Sequence, residues 1–252
     1  MSAEPSAATI IGGPISPYVR KVLAVCTLKG VRWRLDPIVP FFGDDTFSEL
    51  SPLRRIPVFI DDEVSLCDST VICEYLEDRY PTPRLLPAGA AQRARVRWLE
   101  EFADTRMGDV FIWRVFYEAV VLPFIFQRPR DKDKIARAVA EEVPEVMAYL
   151  ERIAPGDGFA AGDLSLADIA VAAPFCNLEW ARVEPDRVRF PKTCAWVERT
   201  LAAPAVAKVT RFGEVLMQTP PDRHRAALAQ LGVPLSDTTL ATATPRRGPM
   251  TV

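Results

Sequence analysis

The sequence predicts an α/β unit followed by an all-α unit: a βαβ-ββα arrangement over residues 9–83, a linker at 84–90, and a helical bundle over 91–220. Two patterns carry that prediction. Short apolar or alternating runs, the mark of strands, occur near Thr9, Val31 and Pro57, whereas from about Ala90 onward apolar residues recur only at helical spacing. The regimes meet at a proline-rich link, Pro81 to Pro87. With 252 residues the chain is long enough to bury the cores of two ordinary domains.

Thr9-Ile10-Ile11-Gly12-Gly13 reads as the first strand, and it turns straight into a helix over Pro17 to Lys29 with Val19, Val22, Leu23 and Cys26 on one face. Ser16 and Pro17 open that helix with a hydroxyl and a first-turn proline, and the unpaired N–H groups there suit an anion. Gly30 stops it, since glycine takes the left-handed conformation at little cost. Val31, Trp33 and Leu35 alternate with Arg32, Arg34 and Asp36, giving a strand with one buried face and hence a parallel βαβ pair. A short helix near Thr46 to Leu50 precedes a third strand, Pro57-Val58-Phe59-Ile60. Asp61-Asp62-Glu63 then turns that strand back into Val64-Ser65-Leu66 as a hairpin. Ser69 to Tyr80 follows as a helix with Ile72, Tyr75 and Leu76 inward, ended by Pro81 and Pro83. The helical segments beyond are Ala91 to Gln127, Asp133 to Ile153, Ser165 to Glu179, and Pro191 to Leu201 with a continuation to Met217. Val233 to Val252 is rich in Thr, Ala and Pro, has little to bury, and reads as a disordered tail.

Composition narrows the function classes. At 49% hydrophobic and 25% charged the chain matches ordinary globular proteins, and a net charge of −2 leaves no excess of cations to neutralise phosphates, which argues against nucleic acid as a partner. The longest apolar run, Ala119 to Phe126, is broken by Pro123 and falls far short of the roughly 20 residues that span a bilayer. No membrane partner is expected. Met1 to Ala8 carries no apolar segment of the signal-peptide kind, so a cytoplasmic location is expected. The cysteines at 26, 67, 73, 176 and 194 form no Cys-x-x-Cys pair and stand with a single histidine, His224. They are expected to be reduced core thiols, with no disulfide frame and no metal site.

Four motifs occur in order: Ser16-Pro17-Tyr18-Val19-Arg20-Lys21-Val22, Arg54-Arg55-Ile56-Pro57-Val58, Asp68-Ser69 before a helix, and Ser165-Leu166-Ala167-Asp168-Ile169. Together with the element order they resemble a cytosolic glutathione S-transferase of the serine type, theta- or zeta-like or a bacterial relative, over roughly Thr9 to Met217. The resemblance implies a thioredoxin-like first domain with glutathione as co-substrate and no permanently bound cofactor. It also implies a hydrophobic small molecule as second substrate, a homodimer and a role in detoxification. One departure stands out: Arg54-Arg55 occupies the place where the family more often has Gly-Lys.

By this resemblance Ser16 is the catalytic residue, its hydroxyl donating a hydrogen bond to the glutathione sulfur. The thiolate is the reactive nucleophile, and both a hydrogen bond and a helix N-terminus favour its charge. Read alone, Ser16 is also explained as a plain helix cap, and Tyr18 is a rival donor. Pro57 is either a cis-proline whose predecessor Ile56 offers its backbone to the cysteinyl part of glutathione, or an ordinary proline at a strand's first residue. Arg55 can reach a carboxylate. Asp68 and Ser69 are implied to hold the ammonium and the γ-glutamyl carboxylate, although serine there is also explained as a helix N-cap. Ser165 and Asp168 have the spacing of a capping box, a folding feature. The first long helix of the second domain carries Trp98, Phe102, Met107, Phe111, Trp113, Phe116 and Tyr117; most are core at that spacing, and Phe111, Trp113 and Tyr117 are the candidates for contact with the electrophile. Two other classes remain open at this point. One is a non-catalytic binding or interaction protein of the same fold. The other is a glutathione-dependent isomerase, dehalogenase or peroxidase, although Ile15-Ser16-Pro17 lacks the Ser-Ser-Cys of the isomerase branch.

Overall fold

The computed structural model describes residues 6–246 and 248. The chain divides into two compact units: one takes the described residues up to Pro83 together with those from Lys208 onward, and the other takes Arg84–Ala207. The last helices and the tail therefore group with the first unit, where the sequence pattern had extended the helical bundle to 220.

In the first unit β1 (Ala8–Ile11), α1 (Pro17–Leu28), β2 (Trp33–Asp36), a 3-10 turn (Pro40–Phe42), α2 (Asp45–Leu50), β3 (Val58–Ile60), β4 (Ser65–Cys67) and α3 (Ser69–Arg79) follow one another. The sheet has strand order β2-β1-β3-β4, with β1 parallel to β2 and antiparallel to β3, and β3 antiparallel to β4. This is the βαβ-ββα order read from the sequence. Asp61 makes the hairpin turn, because its Oδ1 accepts from the Glu63 and Val64 N–H groups, each at 2.9 Å. Tyr75 on α3 donates to the other carboxylate oxygen of Asp61 at 2.7 Å, which fastens the helix to the hairpin. At the far end of α1 the buried Lys29 ammonium pairs with Glu77 at 2.7 Å and donates to the carbonyls of Tyr80 at 2.7 Å and Pro83 at 2.9 Å. A buried cation is tolerated only when its donors are matched, as they are here.

The first unit is completed by the end of α10 (Pro204–Met217), a 3-10 turn (Pro221–Arg223), α11 (His224–Gln230) and the tail. The tail departs from the disorder expected of it. From Val233 to Arg246 it is an extended strap along β2: Leu35 N–H donates to Pro234 O at 2.9 Å, Ser236 N–H returns to Leu35 O at 3.0 Å, and Leu235 bridges Leu35 in parallel. Composition missed this because the strap is held by backbone bonds and two separate apolar anchors, Val233 and Leu240, and neither feature needs a hydrophobic run. Residues 247 and 249–252, which the same expectation covered, lie outside the described residues, as do 1–5.

The second unit is helical. α4 (Ala90–Phe102) continues through a wide, π-helical stretch (Ala103–Val121) into α5 (Leu122–Ile125). α6 (Lys132–Arg137) likewise runs through a π-helical turn (Ala138–Glu142) into α7 (Val143–Ile153), and α8 (Leu166–Trp180) and α9 (Pro191–Leu201) follow. The core gathers Met107, Phe111, Val115, Met147, Leu150, Phe175 and Trp196. α8 is buried from Leu166 to Leu178, as its all-round apolar sequence requires of a central helix. The π winding explains an ion pair at an unusual spacing: Arg114 grips the Asp109 carboxylate from Nε at 3.2 Å and Nη2 at 2.9 Å, five residues apart, because i and i+5 lie along one face there. No described helix is long and apolar enough to cross a membrane.

Candidate functional site

The sheet register brings the first three motifs together. Asp36 of β2, Ile11 of β1, Val58 of β3 and Cys67 of β4 stand side by side in one row across the sheet. Immediately beyond that row, at the same end of the sheet, lie Gly12 to Ser16 after β1, Ile56-Pro57 before β3, and Asp68-Ser69 after β4. Neighbouring strands lie about 4.8 Å apart, so Ile11 and Cys67 are separated by roughly 10 Å, the reach of a short peptide.

Ser16 is the N-cap of α1, with its backbone extended and its Oγ accepting from Val19 N–H at 3.4 Å. A hydroxyl that accepts there keeps its own hydrogen to give. The turn before it is tied down by Arg20, a residue the sequence analysis quoted only as part of the motif: its Nη1 donates to the carbonyls of Pro14 at 2.7 Å and Ile15 at 2.8 Å. The available signal was an arginine four residues after a cap and among apolar neighbours, since side chains on a first turn lean back toward the helix start. Tyr18 is half-buried on the same turn. Gly12 is required where β1 leaves the sheet: its φ is +138°, and a Cβ there would lie 2.8 Å from both Ile56 Cβ and Val19 Cγ2.

The Ile56-Pro57 peptide is cis. Among the described residues the Ile56 N–H and C=O form no backbone hydrogen bond, so both are available to an extended peptide. Arg54 takes φ +50°, in the left-handed region that favours glycine, which accounts for the family's usual residue at this place. Its guanidinium turns away from the motif, donating to Gly43 O at 2.7 Å and to Ser48 Oγ and stacking over Phe47 at 5.5 Å. Arg55 is exposed and forms no ion pair among the described residues, while Ser51 Oγ bonds both its N–H at 3.0 Å and its carbonyl at 2.8 Å.

The third motif needs one correction. Asp68, not Ser69, is the N-cap of α3: its Oδ1 accepts from Thr70 N–H at 2.9 Å and Val71 N–H at 3.3 Å, and Ser69 is the first helical residue. Both residue types cap well, and the choice is made by backbone conformation. Asp68 sits at φ +88°, ψ 125°, a costly region for a residue with a Cβ. Its second carboxylate oxygen and the Ser69 hydroxyl have no partner among the described residues. An acceptor and a helix-start donor thus stand next to each other, which suits a zwitterion.

Comparison with known proteins agrees with this geometry. Residues 10–84 match the family model of the glutathione S-transferase N-terminal domain, and residues 112–204 that of the C-terminal domain. A glutathione S-transferase-like protein, LUC7, of Fusarium sp is 30% identical over 204 residues, which is 76% of this chain and 87% of that protein. The chain belongs to the glutathione S-transferase family. Among solved structures, a glutathione S-transferase from Sinorhizobium meliloti 1021 is 26% identical with a TM-score of 0.74, covering 88% of this chain and 99% of that one. Another, from Methylobacterium radiotolerans and in complex with glutathione sulfonate, is 26% identical with a TM-score of 0.68, covering 81% of this chain and 95% of that one.

In the second unit of this family member the three aromatic candidates differ in burial. Phe111 is fully buried in the helical core and meets Phe175 edge to face at 5.3 Å. Helical spacing sets Phe111 on the other side from Trp113 without saying which side is core; Trp113 is half-buried and lies 5.4 Å from Tyr117, itself only 4% exposed. The fourth motif does more than cap. Asp168 Oδ2 accepts from Ser165 N–H at 2.8 Å, the reciprocal half of a capping box, and from Ser165 Oγ at 2.6 Å. Its Oδ1 accepts from Ala160 N–H at 2.8 Å and from Trp196 Nε1 at 2.6 Å.

Proposed function

We propose that this protein is a glutathione transferase that joins the glutathione thiolate to a hydrophobic electrophile. The observation that supports this most is the row Ile11, Val58 and Cys67, which lets a serine hydroxyl, an unpaired backbone segment and an acid-plus-serine helix start leave the sheet at one end. The relative solved with glutathione sulfonate supports the same choice of ligand. In this reading Ile56 pairs with the cysteinyl backbone, Asp68 and the start of α3 at Ser69 hold the γ-glutamyl zwitterion, and Arg55 meets the remaining carboxylate. Ser16 donates to the sulfur, the thiol proton leaves to solvent, and the thiolate attacks the electrophile. With an activated aryl chloride a carbon–sulfur bond forms as chloride departs. Trp113, the half-buried one of the three aromatic candidates, is the contact offered to the second substrate, with the buried Tyr117 packed against it, and the working form is a homodimer in the cytoplasm.

The test is conjugation of a nitroaryl chloride by wild type and by Ser16→Ala. Removing one preorganised donor to a developing or stabilised anion costs about a hundredfold in rate. Wild type and Ser16→Ala that bind glutathione equally and are equally inert would contradict the proposal.

A further inference from the structure

We propose that the C-terminal strap, Val233 to Arg246, is a positioning element for the glutathione site, acting through Asp36 and the loop that follows β2. The inference rests on the reading above for the identity of the ligand. Its structural half stands independently.

The strap reaches the site by two routes. The first runs through Asp36, a residue only 2% exposed. Its Oδ2 accepts from Leu240 N–H at 2.8 Å, and its Oδ1 accepts from Arg225 Nη1 at 3.1 Å. Arg225 in turn donates to Ser236 O at 2.5 Å, so α11 and the strap hold the carboxylate together. The backbone of the same aspartate carries the turn that leads to Ser16: Gly12 N–H donates to Asp36 O at 2.8 Å, and Gly13 N–H to Ile38 O at 2.7 Å.

The second route runs through the loop from Pro37 to Asp44 and ends at Ile56. Strap N–H groups of Arg246 and Thr242 donate to Phe41 O at 2.5 Å and Phe42 O at 2.6 Å, and Asp44 N–H donates to Leu240 O at 2.9 Å. Arg54 grips Gly43 O at 2.7 Å in the same loop, and its chain leads directly to Arg55 and Ile56. Leu240 packs its side chain on the cluster of Ile11, Ile38, Phe47 and Val58, against which Ile56 also packs. The loop has a single short turn of its own. At its start the loop is held by Ile38, which is buried in the cluster and accepts from Gly13 N–H; from Phe41 to Asp44 the strap and Arg54 hold its backbone. An ordered loop on both flanks of a ligand site lowers the entropy lost when the ligand is held. By linkage, glutathione also favours the docked strap.

Two variants test this: a chain ending at Gly232, and Leu240→Pro, which keeps the whole chain but removes the N–H that donates to Asp36. Hydrogen exchange is followed at the amides of Gly13, Ile38 and Asp44, with the amides of α8 reporting that the second unit is folded. Glutathione affinity is measured by calorimetry, with and without a synthetic peptide spanning 233–246. The expected result is faster exchange at those three amides with α8 unchanged, glutathione binding weakened about tenfold, and recovery of both on adding the peptide to the shortened chain. Wild-type exchange at Gly13 and Ile38 in both variants would overturn the proposal, as would unchanged affinity despite faster exchange. If wild type does not bind glutathione, the ligand reading fails, and the exchange rates still decide whether the strap orders the loop. If the shortened chain does not fold, Leu240→Pro decides alone.

Discussion

Asp168→Ala separates two accounts of one carboxylate. As the acid of an ordinary capping box, Asp168 is worth about 1 kcal/mol. As found, it is fully buried and accepts four hydrogen bonds, from the Ser165 and Ala160 N–H groups, the Ser165 hydroxyl and the Trp196 indole. The hydroxyl can rotate to another acceptor and the Ala160 amide is only partly buried. The Ser165 amide and the Trp196 Nε1–H, on a ring 1% exposed, cannot reach water. Each donor left unsatisfied in the interior costs about 1–3 kcal/mol, so the truncation should remove about 2–6 kcal/mol. Against a total of about 5–15 kcal/mol for a typical domain, that is enough to unfold much of the second unit. The assay is urea unfolding followed by tryptophan fluorescence and far-UV circular dichroism. Asp168→Asn is the companion variant, since it keeps the size and one acceptor but turns the other atom into a donor facing another donor, and it should fall between wild type and alanine. A loss of only about 1 kcal/mol for Asp168→Ala would refute the hub and leave a simple cap.

The other predictions concern the first unit. Gly12→Ala should lower stability by about 1–3 kcal/mol in chemical denaturation, because it combines a positive φ with contacts at 2.8 Å to Ile56 and Val19; an unchanged midpoint would show that the turn can shift freely. Burial pushes the His224 imidazole below its ordinary value of 6.5, against an opposing contact of Nε2 with the Thr219 carbonyl. The unfolded chain therefore takes up the proton first, so the contribution of the neutral ring is complete above 6.5 and is lost as pH falls through the lower folded value. Melting temperatures across this range should fall more steeply for wild type than for His224→Gln. Burial raises the Cys26 thiol to about 12, whereas Cys67 is half-buried. Iodoacetamide should modify Cys67 first in the native protein and spare Cys26, and peptide mass mapping reads the order.

The sequence showed most where side-chain period and backbone agree. α1 and the strands of the sheet were legible because their apolar residues repeat at the spacing of the element they form, and Ser16 was legible because serine before proline starts helices. Other features depend on facts that no local pattern carries. Asp68 and Ser69 are both good caps, and only the φ of +88° at Asp68 decides between them. The strap's hold on β2 is mostly backbone, so its Thr- and Ala-rich side chains give no period at all. Asp168 looked like a local cap because Ala160 and especially Trp196 meet it only after the fold has formed. Phe111 and Trp113 are two residues apart and so point to nearly opposite sides of their helix, and only the packing of α8 against the Phe111 side decides which of them is core.

The central claim is that Ser16 favours the glutathione thiolate, and the ultraviolet absorbance of that thiolate tests it most directly. Bound to wild type, the thiol should titrate well below the pKa of about 8.5 of an unperturbed cysteine, and in Ser16→Ala that depression should largely vanish while glutathione still binds. A bound thiol that titrates at the same pH in both proteins would contradict the account and move the role to Tyr18 or to the backbone at the start of α1.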